Sequence, residues 1–381
     1  MKRQITFLLL AMVMIYSLTG CSNNDKYQEN NQPEVNAEQT NKESDKDIQS
    51  QARTITDLGG HEIEIPPVSE IEHVVVITPP VTSVLLETIP STDMIVGLSS
   101  KAFVYSNEDV MNKLFPNYRD VETTFVGDDF SINTEALLAL DPDIILYYGE
   151  IQRKDLENIG LPIINFFSPS LTDPKDVTVA WDNLLREIFE VEDSESLEKE
   201  WKYFDAKVEE ILARQTGEAK RALWVFSNVS GKLVVAGSSS FDAYAESFFE
   251  KAGIVNVATD IQGTAEVDME QIYEWNPDTI FVFHNVSAQA YLNNTIEGQD
   301  WSLLKAWKDQ EIYDIPQTAY SWGAPCADSP LMPLWLISKA YPELYNEEEF
   351  YTELEGYYER LHNVTLIEED MDSILSLRDL R

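Results

Sequence analysis

The side chains that most often carry out chemistry are few in this sequence, and their spacing does not complete a reactive site. The four histidines do not form a cluster with metal-ligand spacing: His61, His73, His284 and His362. A zinc or manganese site needs several histidines with carboxylates. Residues 237–241 read Gly-Ser-Ser-Ser-Phe, so they lack the second glycine of a Gly-x-Ser-x-Gly nucleophile elbow. No Gly-x-x-x-x-Gly-Lys phosphate loop occurs either. These patterns disfavour a bare-metal site and an enzyme, and we expect no cofactor.

One spacing of acidic residues occurs twice. Glu135 stands seven residues before Pro142, and Glu270 stands seven residues before Pro277. An Asp and an apolar run follow each proline. Because proline cannot continue a hydrogen-bonded helix, each unit predicts a short helix, a break and then a buried strand. This order is common in α/β proteins and can recur by chance, but the matched spacing favours a duplicated unit.

Apolar runs and turn residues alternate along the rest of the chain. The apolar runs predict strands at 73–78, 94–98, 144–147, 161–167, 222–226 and 233–237, and another after Pro277. Helical spacing predicts helices at 81–89, 177–189 and 241–253. Two glycines at 59–60 between alternating residues predict a hairpin. Strands that alternate with helices in this way predict mostly parallel sheets.

One long helix interrupts this alternation. Within residues 194–216, Leu197, Trp201 and Phe204 recur at helical spacing, and Ser194 or Ser196 is able to cap the first turn. A helix of this length spans about 30 Å at 1.5 Å per residue. After it, the alternation of strands and helices begins again.

The fold class predicted from these patterns is α/β. We expect two Rossmann-like lobes, each a mostly parallel sheet flanked by helices, joined by one long α-helix. About 330 residues remain after the polar N-terminal region, which is enough for two domains of ordinary size. The predicted parts are a signal peptide at 1–20, a lipidated tether at 21–52, an N-terminal lobe at 53–193, an interlobe helix at 194–216 and a C-terminal lobe at 217–381.

The N-terminus predicts export. Lys2 and Arg3 precede the apolar run 7–18, which is the arrangement of a secretory signal peptide and is short for a membrane span. The following Leu-Thr-Gly-Cys at 18–21 resembles the bacterial lipobox. There a peptidase cuts before the cysteine, which then carries diacylglycerol on its sulfur. Cys21 would therefore begin the mature protein and anchor it to the membrane. An ordinary signal peptide with an incidental cysteine is the alternative.

The segment 22–52 predicts a tether. It is rich in Asn, Gln, Glu and Ser, and it lacks the periodic apolar residues that would offset the entropy of ordering it. A chain of this kind would let a folded body move above the bilayer. Its length favours a Gram-positive cell surface over a periplasm.

The overall composition excludes one class of partner. The formal net charge is −40 and is spread along the chain, so there is no basic stripe to neutralise the phosphates of a nucleic acid. A well-solvated surface on an exported protein explains this acidity without a substrate. Once Cys21 is lipidated, Cys326 is the only remaining cysteine, so no intramolecular disulfide is expected.

Several segments, taken in their order, resemble one family. They are 55–66, 139–146, 274–282, 301–309, 312–316 and 334–343. The chain resembles the substrate-binding lipoproteins of ATP-binding-cassette (ABC) importers for ferric siderophores, haem and vitamin B12, in which a rigid helix joins the lobes. The resemblance runs from residue 55 nearly to the C-terminus and implies a monomer that binds a solute. A continuous helix between the lobes would also resist large hinge motions.

The resemblance gives the repeated glutamates a role. In characterised members of the family, each lobe presents a Glu to an Arg pocket on one subunit of the permease dimer. Glu135 and Glu270 stand at the corresponding positions, with Glu266 as the competitor in the second lobe. Two acidic groups at a fixed separation make a bivalent, charge-guided contact. A carboxylate at a helix start is also favoured by the helix dipole, which explains both positions without a partner.

The fold of the family places the ligand between the lobes, near the carboxyl ends of the strands. Candidates by that rule are Thr78, Lys101, Tyr147, Tyr148, Phe167, Ser230, Lys232, His284 and Trp322. Aromatic walls suit a bulky metal chelate, and the two lysines suit an anionic one such as a ferric catecholate. Core aromatics and solvated lysines are the alternative. His284 is the candidate for direct ligation of iron or cobalt, with a structural histidine as the alternative.

The function implied by the resemblance is that of an extracytoplasmic solute-binding lipoprotein. It would capture a metal chelate, a ferric siderophore first of all, and deliver it to a permease dimer with its ATPase. Cobalamin, haem, or a molybdate or tungstate oxyanion is the alternative ligand. The oxyanion is included among these ligands because segments 321–325 and 334–336 resemble a subgroup that includes molybdate- or tungstate-binding relatives. A secreted enzyme and an adhesive lipoprotein are the alternatives from other classes.

Overall fold

The computed structural model describes residues 52–127, 129–192, 196–240, 243–283 and 286–375. The predicted signal peptide, Cys21, the tether up to residue 51, Ser194 and His284 lie outside the described residues.

Twelve strands form a hairpin and two larger sheets within the described residues. The strands are β1 Arg53–Thr56, β2 Glu62–Ile65, β3 Val74–Val76, β4 Ile95–Leu98, β5 Ile144–Tyr147, β6 Ile163–Asn165, β7 Arg221–Val229, β8 Lys232–Ala236, β9 Val255–Asn256, β10 Thr264–Val267, β11 Thr279–Val282 and β12 Ile312–Asp314.

The helices lie between and after these strands. They are α1 Pro79–Thr88, α2 Lys101–Val104, α3 Glu108–Leu114, α4 Thr134–Leu138, α5 Gly149–Leu156, α6 Pro174–Phe189, α7 Leu197–Leu212, α8 Ala245–Lys251, α9 Met269–Trp275, α10 Ala288–Leu292, α11 Lys305–Lys308, α12 Met332–Ala340, α13 Glu347–His362 and α14 Glu368–Leu375. Short 3-10 turns occur at Val68–Glu70, Thr92–Met94, Tyr118–Asp120, Trp301–Leu303 and Ser329–Leu331.

The two sheets define two lobes. In the N-terminal lobe the strand order is β4-β3-β5-β6, and every neighbouring pair is parallel. In the C-terminal lobe the order is β10-β8-β7-β11-β12, with β9 beside the start of β7. There β7, β9, β11 and β12 are parallel, whereas β8 runs antiparallel to both of its neighbours, β7 and β10. The predicted α/β fold with two mostly parallel sheets is confirmed, and so is the hairpin, formed by β1 and β2.

Two helices connect the lobes. The predicted interlobe helix 194–216 is shorter in the structure, where it is α7, and α6 precedes it with the same length of 16 residues. The Asp182 carboxylate of α6 accepts hydrogen bonds from the Arg186 side chain at 2.7 Å and from the Leu197 backbone N–H at 3.0 Å. Asp182 therefore satisfies an N–H at the start of α7 and fixes the junction between the two helices.

The two Pro-Asp units share the backbone conformation of the residue before the proline. The residue before each proline, Asp141 or Asn276, has a positive φ of 51° or 41°. Asp and Asn adopt this left-handed conformation more readily than most residues with side chains. α9 ends directly before Asn276, whereas α4 ends at Leu138 and a short turn leads on to Asp141. In both units the chain then enters the next strand.

The Asp after each proline makes a two-point contact with the neighbouring strand. Asp143 donates its N–H to the His73 carbonyl at 2.9 Å, and its carboxylate accepts the His73 N–H at 2.8 Å. Asp278 makes the same pair with Arg221, at 2.8 Å and 2.9 Å. His73 lies just before β3 and Arg221 begins β7. Each Asp therefore fixes the register of a central strand against its parallel neighbour.

We expect Asp143→Ala and Asp278→Ala each to lower the free energy of unfolding by about 1–2 kcal/mol, because each leaves a backbone N–H without its acceptor. Urea unfolding followed by circular dichroism measures this effect. Asp155→Ala, which removes an exposed carboxylate on α5, is the control and should stay within about 0.5 kcal/mol. Equal changes in the free energy of unfolding for all three variants would contradict a stabilising role of the two-point contacts.

One apolar core runs through both lobes. It joins one face of each sheet to side chains of α1, α6, α7, α12 and α13. Its largest members are fully buried tryptophans: Trp181, Trp201, Trp224, Trp322 and Trp335. Two smaller cores cover the opposite faces of the sheets. Because separation of the lobes would expose this surface to water, the shared core is a physical reason to expect little motion between them.

A buried acid and a buried histidine face each other in this region. Glu87 of α1 and His362 of α13 approach to 3.9 Å, with side chains 1% and 3% exposed. Burial raises the pKa of Glu87 well above its ordinary value of 4.5, and repulsion from Asp182 and Asp328 adds to this, while Arg186 opposes it. Burial lowers the pKa of His362 to about 4. Burial thus favours the neutral form of both groups, and His362 is uncharged at neutral pH.

We expect Glu87→Gln to alter the pH dependence of stability. Since the pKa of Glu87 is raised on folding, its contribution is complete below its unfolded pKa and is lost as the pH rises through the folded pKa. The free energy of unfolding of the wild type should then fall with rising pH relative to the variant, by at most about 1.4 kcal/mol per pH unit.

The measurement is urea unfolding at intervals from about pH 5 to 9, a range that begins just above the ordinary pKa of Glu and includes that of His. Subtracting the two curves removes the contribution of His362, which both proteins share and which acts in the opposite direction below its unfolded pKa. Glu210→Gln, on the exposed side of α7, is the control, and its free energy of unfolding should change with pH in the same way as that of the wild type. A parallel curve for Glu87→Gln would show that Glu87 is charged in the folded state.

Candidate functional site

The carboxyl edges of the two sheets meet at the boundary between the lobes. Asn107, which follows β4 and α2, donates its backbone N–H to the Thr318 carbonyl at 2.7 Å. The Tyr105 and Tyr320 rings lie edge to face, with centroids 5.9 Å apart. Thr318 and Tyr320 follow β12. We call the segments that follow β3 to β6 and β11 to β12 the interlobe edge, which is where open α/β sheets bind ligands.

Two predicted aromatic residues come together in the N-terminal lobe. Tyr148 follows β5, Phe167 follows β6, and their ring centroids are 4.9 Å apart in an edge-to-face arrangement. Trp181 packs behind Tyr148 at 6.3 Å, and its indole N–H donates to the Phe166 carbonyl at 2.7 Å. Tyr148 and Phe167 are half-buried, whereas Trp181 is fully buried. The interlobe edge therefore has an aromatic surface with a fixed support.

A buried amide holds this aromatic pair. The Asn165 side-chain carbonyl accepts from the N–H groups of Gly149 at 2.9 Å and Phe167 at 3.0 Å. Its backbone N–H donates to the Asp57 carboxylate at 3.1 Å, and the same carboxylate accepts the His61 N–H at 2.8 Å. Gly149 has a φ of 78°, which a residue with a side chain rarely adopts. The Asp-Leu-Gly-Gly-His turn is thereby tied to the loops that carry Tyr148 and Phe167.

Three other candidates in the N-terminal lobe lie at the interlobe edge, and two of them are almost fully buried. Thr78 is 2% exposed in front of α1, and Tyr147 is 1% exposed within a core. Lys101 begins α2 and places its ammonium 5.4 Å from the centre of the Phe130 ring. This is within the range of a cation–π contact, so Lys101 already has an aromatic partner.

The candidates in the C-terminal lobe lie on a hairpin tip. Ser230 and Lys232 are exposed on either side of Gly231, between β7 and β8. β7 pairs with β11 only as far as Val225, yet it continues to residue 229. The tip therefore projects beyond the carboxyl end of β11, toward the interlobe edge.

Trp322 does not lie on an accessible surface, in contrast to its prediction as a ligand contact. It is 0% exposed, its indole N–H donates to the Thr318 hydroxyl at 2.9 Å, and its ring packs near Phe350. The physical reason is that the chain folds back after β12, where Gln317 pairs with Ser321. This bend directs the indole into the shared core.

The segment 321–325 therefore supports the interlobe edge from the side of the shared core. Within it, Gly323 lies so close to the Phe283 ring that a Cβ atom at this position would be 2.2 Å from it. Phe283 comes directly after β11. Only glycine allows the backbone and this ring to approach so closely.

The repeated glutamates occupy matched positions. Asn133 caps α4 by accepting the Ala136 N–H at 3.1 Å, and Asp268 caps α9 by accepting the Gln271 N–H at 2.9 Å. Glu135 and Glu270 are then the second residues of their helices, and both are exposed. The side chains are thus presented to solvent in the same local geometry in each lobe, at the positive end of a helix.

Glu266 and Glu270 belong to one surface feature. Both line an open groove of about 630 Å³ together with Val267, Asp268, Gln271 and Glu274. Glu266 is therefore a neighbour of Glu270 and shares its surroundings. The carboxylates make this face of the C-terminal lobe strongly acidic.

The remaining reactive side chains have structural contacts. Ser239 accepts the Ser247 N–H at 3.0 Å and lies 2.8 Å from the Ser247 hydroxyl, so it supports the start of α8. Cys326 is a buried free thiol. Across the described ranges, no three His, Cys, Asp or Glu side chains are grouped so as to hold a metal ion. Nor does any helix there have the length and apolar character needed to cross a membrane.

Comparison with known proteins identifies the family. The sequence profile of the family described as periplasmic binding protein matches residues 74–319. The match covers more than half of the chain, which therefore belongs to the periplasmic binding protein family. The predicted resemblance to importer-associated solute-binding proteins is confirmed.

Individual relatives agree with this assignment. The chain is 24% identical over 347 residues to the molybdate-binding protein MolA of Haemophilus influenzae, which covers 82% of this chain and 92% of MolA. A periplasmic solute-binding protein from Veillonella parvula superposes with a TM-score of 0.71 at 25% identity, covering 85% of this chain and 97% of that one. CeuE of Helicobacter pylori, in a Ni–His complex, superposes with a TM-score of 0.67 at 20% identity, covering 86% and 100%.

The sequence did not point to several residues that shape the site. Asn165 and Asn107 are isolated asparagines, and their contacts join segments far apart in the chain. One signal was available for Asn107, because the acidic pair after it marks a capped helix start. Tyr105 and Tyr320 had no local signal.

Proposed function

We propose that this protein is a lipid-anchored, extracytoplasmic solute-binding protein that delivers its ligand to an ABC importer. The observation that carries the proposal is the pairing of two features within one family fold. The carboxyl edges of two α/β lobes meet, and each lobe presents an exposed Glu on an equivalent capped helix. Cys21 would carry the lipid, and the body would act as a monomer at the cell surface.

The ligand favoured by the exposed surface is a metal chelate, with a ferric siderophore as the first choice. The Tyr148–Phe167 pair offers a rigid aromatic wall, and the hairpin tip adds Lys232 on the side of the other lobe. Ring faces and a cation suit the flat, anionic ligands of a ferric catecholate. The chelate would stack on the N-terminal lobe and be covered by the hairpin tip.

A molybdate or tungstate oxyanion is the second candidate. It is favoured by the similarity to MolA across 82% of the chain. An oxyanion needs converging N–H or hydroxyl donors more than aromatic walls. Within this protein such donors would have to come from the backbone of the interlobe edge.

Trp181 provides the means to test the ligand, since it packs on Tyr148. We expect intrinsic fluorescence to change and saturate when a ferric catecholate siderophore is added to the full-length protein. Haem, cobalamin, molybdate and tungstate are titrated in parallel. Phe167→Ala should weaken chelate binding about tenfold, the equivalent of about 1.4 kcal/mol, because it removes half of the aromatic pair.

Tyr203→Ala is the matched control for that titration. It removes an aromatic ring that is 47% exposed on α7, and it should leave affinity unchanged. Saturation by molybdate with no effect of Phe167→Ala would move the assignment to the oxyanion. Saturation by none of the five compounds would overturn the proposed ligand class.

Docking is tested by reversing the two repeated charges. We expect Glu135→Arg with Glu270→Arg to reduce stimulation of the importer's ATPase at least tenfold in proteoliposomes that contain the cognate permease. The physical reason is that two charge-assisted contacts with basic partners become repulsive. Ligand affinity should stay the same, since both side chains point to solvent.

A double variant with the same change in net charge provides the control. Glu157→Arg with Glu297→Arg alters exposed carboxylates elsewhere in each lobe and should retain full stimulation at moderate salt. If both double variants lose stimulation equally, net charge is responsible. If neither does, the docking role of Glu135 and Glu270 is wrong.

A further inference from the structure

The last described helix crosses from one lobe to the other. α14 follows α13 of the C-terminal lobe, but it packs against α3 of the N-terminal lobe. Its Ile374 is 2% exposed within the shared core. Lys113 of α3 forms an ion pair with Asp370 of α14 at 2.8 Å, and the Asp370 side chain is 7% exposed. The chain thus returns to the N-terminal lobe before it ends.

Asn107 is the point at which three segments meet. Its backbone N–H donates to the Thr318 carbonyl at 2.7 Å. Its side-chain carbonyl caps α3 by accepting the N–H groups of Asp109 at 3.0 Å and Val110 at 3.2 Å. Its amide NH₂ donates to the Ser373 carbonyl at 2.8 Å and hydroxyl at 3.0 Å. The backbone N–H, the side-chain carbonyl and the side-chain NH₂ of Asn107 therefore all have hydrogen-bond partners.

A further hydrogen bond closes this junction. The Gln317 N–H donates to the Ile374 carbonyl at 3.3 Å, so α14 also bonds to the segment after β12. The loop before α3 belongs to the N-terminal lobe, and the segment after β12 belongs to the C-terminal lobe. Both lie on the interlobe edge. α14 therefore connects the two sides of the edge at which the ligand is expected.

We propose that Asn107 and α14 form an interlobe latch, in which Asn107 is a positioning residue that holds the two carboxyl edges together. Release of α14 from Asn107, rather than bending of α6 and α7, opens the interlobe edge. The reason is that the two connections differ in how much apolar surface they bury. α6 and α7 bury many apolar side chains in the shared core, whereas α14 fully buries only Ile374 there and is otherwise held by a few hydrogen bonds and one ion pair.

The latch itself requires only the two-lobe fold, and its effect on ligand release rests on the proposed function. A short helix with one fully buried apolar side chain opens locally at lower cost than a packed core. The population of the open form then depends on the strength of the polar contacts that hold the helix. Weaker contacts should open the interlobe edge more often and shorten the time for which a ligand stays bound.

Asn107→Asp separates the latch from the helix cap. Aspartate retains the oxygen that caps α3, but it replaces the NH₂ donor with an acceptor that faces the Ser373 carbonyl. Lys113→Met is the second variant, because it removes the ion pair with Asp370 and keeps an unbranched side chain. Asn133→Asp is the matched control, since it makes the same change at the cap of α4.

Hydrogen–deuterium exchange of the full-length protein, followed by mass spectrometry, gives the deciding measurement. We expect Asn107→Asp and Lys113→Met to speed exchange about tenfold in peptides from α14. The peptide that contains Gln317 should accelerate with it, because the Gln317 N–H loses its acceptor in α14. Peptides from α6 and α7 should exchange as in the wild type, and Asn133→Asp should change none of these peptides.

Two results would overturn the latch. The first is unchanged exchange of α14 in Asn107→Asp. The second is faster exchange in α14, α6 and α7 together, which would indicate general destabilisation instead of local release. In either case Asn107 would have only a structural role at the start of α3.

The consequence for binding is measured with a ferric tris-catecholate as the probe. Stopped-flow fluorescence should show a dissociation rate about tenfold higher for Asn107→Asp than for Asn133→Asp, equivalent to about 1.4 kcal/mol. If the exchange results are as expected but the chelate does not bind, the latch stands and the proposed ligand fails. If the chelate binds and both variants release it equally fast, the latch does not control release.

Discussion

The rest of this structure depends on the apolar core that the two lobes share. Side chains from both sheets and from α1, α6, α7, α12 and α13 form one continuous interior, so the two lobes share the burial of one face of each sheet. Two consequences follow. The carboxyl edges of the sheets are held next to each other, as the contacts of Asn107 and Tyr105 with Thr318 and Tyr320 demonstrate. Burial also shifts the pKa values of ionisable groups enclosed there, such as Glu87 and His362, in the direction that favours their uncharged forms.

In contrast to this shared core, the surfaces proposed for ligand and importer are built from small, separately supported units. Asn165 holds Gly149 and Phe167, and Asp57 connects that amide to the N-terminal hairpin. The hairpin tip at Ser230 has no comparable supporting hydrogen bond among the described contacts, and it projects past β11. The aromatic pair is therefore firmly supported, whereas the hairpin tip is the more exposed element. This division is suited to a family in which one fold accepts different solutes.

The repeated unit shows which feature is duplicated. One sheet is entirely parallel and the other is mixed, so the lobes are not copies of each other throughout. The capped helix, the left-handed residue before proline and the two-point contact of Asp143 or Asp278 are nevertheless the same. The matched spacing of Glu135 and Glu270 thus reflects matched geometry. Each Glu is set on a helix whose end is fixed to a central strand.

The sequence by itself determined the features that depend on local chemistry. Apolar runs and proline breaks predicted the strands and the order of elements, and the spacing of Leu197, Trp201 and Phe204 predicted the buried face of α7. Only the tertiary structure decided which residues face the interlobe edge. Asn107 became a junction through contacts with a segment 266 residues further along the chain, and Trp322 turned inward at a bend that has no local signal. Contacts between distant segments depend on how the elements pack. The periodicity of a single sequence indicates local structure and does not indicate those contacts.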